Sequence, residues 1–212
     1  EVTEGVPVLC YHYFRSGFNP SYLIKVLGSV IFGMPALGPR EFWTTPEGEF
    51  EKHLRYFRDT GPVVMTLDEV AELVAVGGDL PQRAVVLTID DADRSVHELA
   101  WPLLRKYGMR AHLFVPTAKV GTSWSELEIC TWEQLAEMEA SGLATIAPHT
   151  HTHPDLRSLP PEDIAYEVDT ANGLITRRLG IEPAHFAYPK GWWSARAEPI
   201  LRERFSTAVL GE

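Results

Sequence analysis

The chain has 212 residues, 45% of them hydrophobic, with a formal net charge of −10 and two cysteines. That length and apolar content can bury a substantial core, and no repeat or low-complexity linker divides it, so residues 1–212 read as one soluble domain. The acidic balance argues against a nucleic-acid surface, and two cysteines are too few for a disulfide framework or a cysteine-rich zinc site. Along the chain, residues 7–11 read as a buried strand. Residues 47–60, closed by Gly61, carry Phe50, Leu54 and Phe57 at helical spacing. A second helix over 67–76 is stopped by Gly77-Gly78. The near-continuous apolar run 84–89, ended by acids, has the character of a parallel strand buried on both faces. A helix over 95–107, with Asp93 as its N-cap and Gly108 as its end, leads to a strand over 111–115. Residues 132–141 form a helix stopped at Gly142, and 144–147 a strand. Pro160-Pro161 opens a helix to residue 179, with Gly180 just beyond. Segments 186–188, 195–204 and 207–210 complete the alternation, which predicts an α/β fold with a mostly parallel sheet. Cys10 and Cys130 both lie in apolar contexts and read as buried thiols.

Two features carry chemistry. Asp90 and Asp91 close the apolar run AVVLTIDD, and His149-Thr150-His151-Thr152-His153 follows about 60 residues later. A strand ending in paired carboxylates, with a second segment offering imidazoles, can supply a carboxylate-plus-two-histidine metal site. Three protein ligands leave a position open for water, as in hydrolytic zinc sites. The spare carboxylate can then take a proton from that water. An extended histidine segment would place all three rings on one side and make His151 a rival ligand. A turn would instead align His149 with His153 and point His151 away.

The order of motifs supports a family resemblance. Thr88-Ile89-Asp90-Asp91-Ala92 stands where a T-F-D-D-G motif would, and the histidine segment, followed by Pro154, matches H-S/T-x-x-H. Phe186-Ala187-Tyr188-Pro189-Lys190-Gly191 is similar to an aromatic-x-x-P-Y-G turn, and Val6-Pro7-Val8-Leu9-Cys10-Tyr11-His12 to a first strand. On these residues, from about 6 to 209, the chain resembles the polysaccharide deacetylases of the NodB-homology group, carbohydrate esterase family four. The resemblance implies a distorted, incomplete (β/α) barrel of NodB type, with the active site at the carboxyl ends of its strands. It also implies Asp91, His149 and His153 as metal ligands and Asp90 as general base. Zinc is the default ion for that set, and cobalt or nickel would also fit.

Departures from the pattern shift some roles. Ala92 replaces the usual glycine, Ala187 stands where many members carry arginine, Lys190 replaces an aromatic, and no late Leu-x-His precedes Glu212. His12, directly after the first strand, is the candidate general acid. His53 and His97 fall in helices, His112 in a strand, and His185 just before one. The Lys190 backbone N–H is a candidate oxyanion donor, and Tyr188, Trp192 and Trp193 are candidates to stack on sugar rings. The D-D-x-D run, the early Tyr-His and Tyr-Pro-Lys-Gly resemble the biofilm-exopolysaccharide branch, the intercellular-adhesin deacetylases of Gram-positive bacteria. That likeness implies poly-β-1,6-N-acetyl-D-glucosamine as substrate. A net negative protein would not repel this neutral polymer and would weakly favour one that gains amines. The alternatives are a peptidoglycan, chitin or acetylxylan deacetylase, or a non-catalytic polysaccharide-binding relative.

An apolar insertion at about 21–38 contains YLIKVLGSVIFGMPAL. It is too short and too broken by glycine and proline to span a bilayer, which takes about 20 apolar residues. It reads either as a plug under the barrel or as a membrane-surface contact through Leu23, Ile24, Leu27, Ile31 and Phe32, the second being favoured. The chain begins at Glu1 without a methionine, which fits a signal peptide removed or trimmed away. The expected location is extracellular, on the cell-surface membrane.

Overall fold

The run AVVLTID forms the central strand of the computed structural model, which describes residues 5–17 and 42–211. In chain order the strands are β1 (Val8–Tyr11), β2 (Tyr13–Arg15), β3 (Thr44–Pro46), β4 (Val63–Met65), β5 (Ala84–Asp90), β6 (Ala111–Val115), β7 (Ser123–Trp124), β8 (Leu127–Glu128), β9 (Ala144–Pro148), β10 (His185–Ala187) and β11 (Thr207–Val209). The helices are α1 (Glu47–Thr60), α2 (Leu67–Ala75), α3 (Trp101–Tyr107), α4 (Trp132–Ala140), α5 (Pro161–Leu179) and α6 (Glu198–Arg202). Strands β1, β5, β6 and β9 pair in that order, all parallel, and β4 also pairs with β5. Strands β10 and β11 form a separate parallel pair packed beside β9. The ladder is interrupted there, so the strands curve into an incomplete barrel, as the resemblance implied.

Alternation along the strands divides the core. Ala84 and Val86 point to a small cluster with Met65, Phe114, Ala147 and Ala187, which fills the barrel interior. Val85, Leu87 and Ile89 point the other way, onto Phe50, Leu54, Phe57, Leu104, Leu135 and Met138 of the covering helices. Period-two alternation with both faces covered explains why β5 is almost wholly apolar. Two buried histidines belong to the barrel interior away from the paired acids. The Leu67 N–H donates to His112 Nε2 (2.8 Å), and His185 packs edge-on to His112 with Nδ1 2.8 Å from Thr207 Oγ1. Burial, foremost, pushes the His112 pKa down to about 4.

Most helix limits follow the punctuation in the sequence. Thr66 and Thr131 each open a capping box with Glu69 and Gln134, and α1 ends where Gly61 adopts φ 77°. Several expectations are corrected. The segment 95–107 starts as a π-helical turn over Val96–Ala100 before becoming α3, with Asp93 accepting from the Ser95 N–H at its start. Residues 195–204 are helical only over α6, and His185 lies inside β10. The first strand is buried only at Tyr11. Val8, Leu9 and Cys10 are exposed, because β1 is the marginal strand of its sheet and apolar content alone does not distinguish a margin from a centre. Cys130 is buried as expected. The short strands β2, β3 and β4 and the β7–β8 hairpin carry too little pattern to be read in advance. The apolar insertion and its candidate membrane residues lie outside the described residues. Among the described residues, no helix is long and apolar enough to cross a membrane.

Candidate active site

Three loops leave the carboxyl ends of β5, β9 and β10, and each bends through left-handed backbone. Asp91 (φ 67°) and Ala92 (φ 52°) follow β5, Thr150 (φ 65°) and His153 (φ 67°) follow β9, and Lys190 (φ 63°) follows β10. A positive φ is unfavourable for any residue with a Cβ and most of all for a β-branched one such as Thr150. Backbone strain is thus concentrated where the motif side chains are aimed. It also explains the force of the Ala92 departure, since glycine would adopt that conformation without the Cβ penalty. The Ala92 methyl is fully buried in the larger core, which offsets part of that cost.

The structure brings Asp91, His149 and His153 together, with one donor atom from each lying within 4.8 Å of the others. Asp91 Oδ1 is 3.6 Å from His153 Nε2. A tetrahedral ion with bonds of about 2.0–2.1 Å spaces its donors about 3.3 Å apart, so only small adjustments are needed. Asp91 Oδ1 is buried with no hydrogen-bond partner among the described residues, an acceptor left for a cation. His149 Nδ1 is 2.8 Å from the Ala187 carbonyl, so the ring donates there and presents Nε2. Burial, with His153 beside it as the next cause, pushes the His149 pKa down to about 3, and His153 is lowered mainly by burial. Both shifts favour the neutral form that ligation requires. The donor set fits a divalent metal.

Several supports were missed in the sequence. The Tyr13 hydroxyl donates to Asp91 Oδ2 (2.6 Å), fixing the carboxylate while leaving Oδ1 for the ion. Tyr13→Phe should lower metal affinity about 10- to 100-fold, the usual effect of losing an outer-shell partner. Competition with a chelator measures this; unchanged affinity would show that the hydrogen bond does not matter. On α5, the half-turned histidine loop is held by buried Glu167, whose carboxylate accepts from the His151 N–H (2.9 Å), the Thr152 N–H (2.7 Å) and the Thr152 hydroxyl (2.6 Å). Glu167→Ala should cost about 2–4 kcal/mol, since it strands two backbone donors. Thermal unfolding reads that loss, and a variant within about 1 °C of the parent would refute it. The loop is a turn, so His151 points away and pairs with Thr117 Oγ1 (2.9 Å). The three rings therefore do not line up on one side as the period-two alternative would have them.

Asp90 borders the triad without joining it. Its Oδ2 is 3.9 Å from His149 Nε2, its Oδ1 is buried without a partner, and burial, then the Asp91 charge, pushes its pKa up to about 8. His12 reaches the same place from the end of β1, grouped with Asp90 and Cys10 within 4.8 Å. Its ring stacks on Trp43 at 4.5 Å, and Phe42 stands edge-on to Trp43. Burial, foremost, lowers the His12 pKa, with Asp91 pulling the other way. Trp124 of the short hairpin packs edge-on to His153 at 5.0 Å and forms one wall.

The expected sugar-contacting residues divide. Lys190 lies close enough to His153 for its charge to act on that ring. Trp192 is half exposed and carries the Arg157 guanidinium 3.8 Å from its centroid, so one face is already covered. Trp193 is half exposed, donates to Glu198 (3.0 Å) and lines a shallow cleft of about 240 Å³ with Tyr188, Glu198 and Arg202, a cleft that includes none of the triad. Alternation turns Tyr188 out of the barrel into the cluster with Phe186 and Leu201, where it is 2% exposed and borders that cleft.

Comparison with known proteins decides the family, because residues 77–205, which include the acid pair, the histidine loop and the third motif, match the model described as Polysaccharide deacetylase. The chain belongs to the polysaccharide deacetylase family. It is 29% identical over 191 residues to YxkH of Bacillus subtilis (strain 168), covering 90% of this chain and 58% of that protein. It is 24% identical over 173 residues to the poly-beta-1,6-N-acetyl-D-glucosamine N-deacetylase of Staphylococcus aureus (strain MSSA476), covering 76% of this chain and 58% of that one. The chain thus spans less than two thirds of the length of these relatives. Among solved structures it is similar to IcaB from Ammonifex degensii, with a TM-score of 0.77 and 28% identity over 95% of this chain and 81% of that one.

Proposed function

We propose that this chain is a metal-dependent N-deacetylase of a β-1,6-linked N-acetylglucosamine polymer, releasing acetate. The observation that carries the reading is the separation of two carboxylates at one strand end. Asp91 joins His149 and His153 as a ligand set, while neighbouring Asp90 stays outside it, buried and free to handle a proton. A divalent cation held by those three residues would supply Lewis acidity and make water acidic enough to attack at neutral pH. Zinc suits one carboxylate and two imidazoles best, with cobalt or nickel as substitutes.

The chain's own groups account for the proton traffic. Asp90 takes a proton from the attacking water. The oxygen of that water bonds to the acetamide carbon, and the Lys190 N–H would donate to the oxyanion. His12, next to Asp90, gives a proton to the nitrogen as the C–N bond breaks, leaving acetate and a free amine. Trp43, stacked on His12, and Trp192, two residues from Lys190, are exposed aromatic surfaces beside these groups and suit stacking on sugar rings.

The substrate reading rests on the relative named as a poly-beta-1,6-N-acetyl-D-glucosamine N-deacetylase. Acetate release from β-1,6-linked N-acetylglucosamine oligomers should exceed that from β-1,4-linked oligomers of equal length. Equal or faster turnover of the β-1,4 series would overturn the linkage assignment and leave the deacetylase reading standing. Action on an extracellular polymer would put the enzyme outside the cell, and the apolar stretch 22–37 supports attachment to a membrane surface. Replacing Leu27, Ile31 and Phe32 with Ser should move the protein from sedimenting vesicles to the supernatant with oligomer turnover intact. A parent protein that never co-sediments would end that idea.

A further inference from the structure

We propose a second metal site in the barrel mouth, formed by Cys10, His12 and Asp90, that takes up a thiophilic divalent cation and shuts the enzyme down. One donor atom from each of these residues lies within 4.8 Å of the others. Cys10 Sγ is 3.8 Å from His12 Nδ1. A tetrahedral ion bound through sulfur at about 2.3 Å and nitrogen at about 2.05 Å spaces those atoms about 3.5 Å apart, so the pair already stands near ligand distance. Asp90 supplies the third donor, and its Oδ1 is buried with no hydrogen-bond partner among the described residues.

Topology explains the cluster. Cys10 pairs in register with Thr88 on β5, two residues before Asp90, and His12 follows two residues after Cys10. The two-residue repeat of neighbouring parallel strands therefore aims all three side chains at one opening. Cys10 is exposed, so an ion can reach it, unlike buried Cys130. With both sites filled, the anionic donors Cys10, Asp90 and Asp91 face two dications, which limits the mutual repulsion of the ions.

The inhibitory consequence rests on the deacetylase reading, because the ion would occupy the two residues assigned to proton transfer. The capture itself does not. It also gives a role to a thiol that the proposed hydrolysis does not use.

The test has two independent arms. In the first, protein loaded with one equivalent of zinc is titrated with cadmium while the ultraviolet thiolate-to-cadmium charge-transfer band is followed. The parent and Cys130→Ala proteins should develop the band at one further equivalent, and Cys10→Ser should not. His12→Ala should keep the band but need at least about 10-fold more cadmium, since even loss of an outer-shell partner costs 10- to 100-fold. A band that survives Cys10→Ser, or none in the parent, would overturn the proposal. In the second arm, acetate release is compared at one and at several equivalents of zinc, each protein normalised to its own activity at one equivalent. Excess zinc should suppress the parent at a concentration at least about 10-fold lower than it does Cys10→Ser. Equal suppression would show that inhibition does not pass through Cys10. Absence of acetate release at every zinc level would instead count against the deacetylase reading, while the cadmium band still reports on the site.

Discussion

Asp90→Asn should retain the metal and lose activity by about 10²- to 10⁴-fold, the range for removal of a general base. Metal content measured on the purified variant and its acetate release together separate this from the neighbouring position. Asp91→Ala removes one of three ligands and should lose the ion. A metal-free Asp90→Asn with a fully loaded Asp91→Ala would reverse the two roles. The same residue gives a signature that needs no substrate. In the metal-free fold the Asp90 pKa is pushed up to about 8, above the ordinary 3.8, so the fold favours the protonated acid. Its contribution to stability is full below about pH 4 and is lost as pH rises toward 8. Metal-free Asp90→Asn should accordingly show a flatter fall in melting temperature across that window than the parent. Parallel curves would indicate that Asp90 does not titrate in the fold as assigned.

His12→Ala should lower kcat by a comparable factor, roughly 10²-fold or more, with the metal content of the triad unchanged. If deprotonation of His12 sets the alkaline limb of the pH profile, activity falls as pH rises through its pKa, and the limb should disappear in the variant. The Trp43 stack holds the ring beside Asp90, so a smaller residue there should not restore the lost group. Near-parental kcat in His12→Ala would remove His12 from the reaction. It would leave Asp90 or solvent to protonate the amine, because His151 is turned away onto Thr117.

What the sequence revealed depended on how local the signal was. The acid pair and the histidine loop were legible because each is a short, chemically unusual run at a strand end, and α1, α5 and β6 because glycine, proline and apolar spacing mark their limits. The choice of His149 and His153 over His151 needed the turn, which depends on a glutamate about 15 residues downstream that looks like any surface acid on a helix. Tyr13 and Trp124 reach the site from strands too short to show a period, and Trp43 from the residue just before β3. The facing of Tyr188 was not legible because the motif that contains it marks a loop, whereas its side chain follows the alternation of β10, in which Ala187 takes the inward position. Cys10 was misread because an apolar strand at the margin of a sheet resembles one at its centre until the pairing is known.

The most direct measurement is acetate release from β-1,6-linked N-acetylglucosamine oligomers by protein first stripped with a chelator and then given zinc in steps up to one equivalent. The expected result is no release from the stripped protein, full recovery at one equivalent, and no recovery for His149→Ala. Release that survives complete stripping, or that returns in His149→Ala at the same single equivalent, would contradict a reaction run from the Asp91, His149 and His153 site.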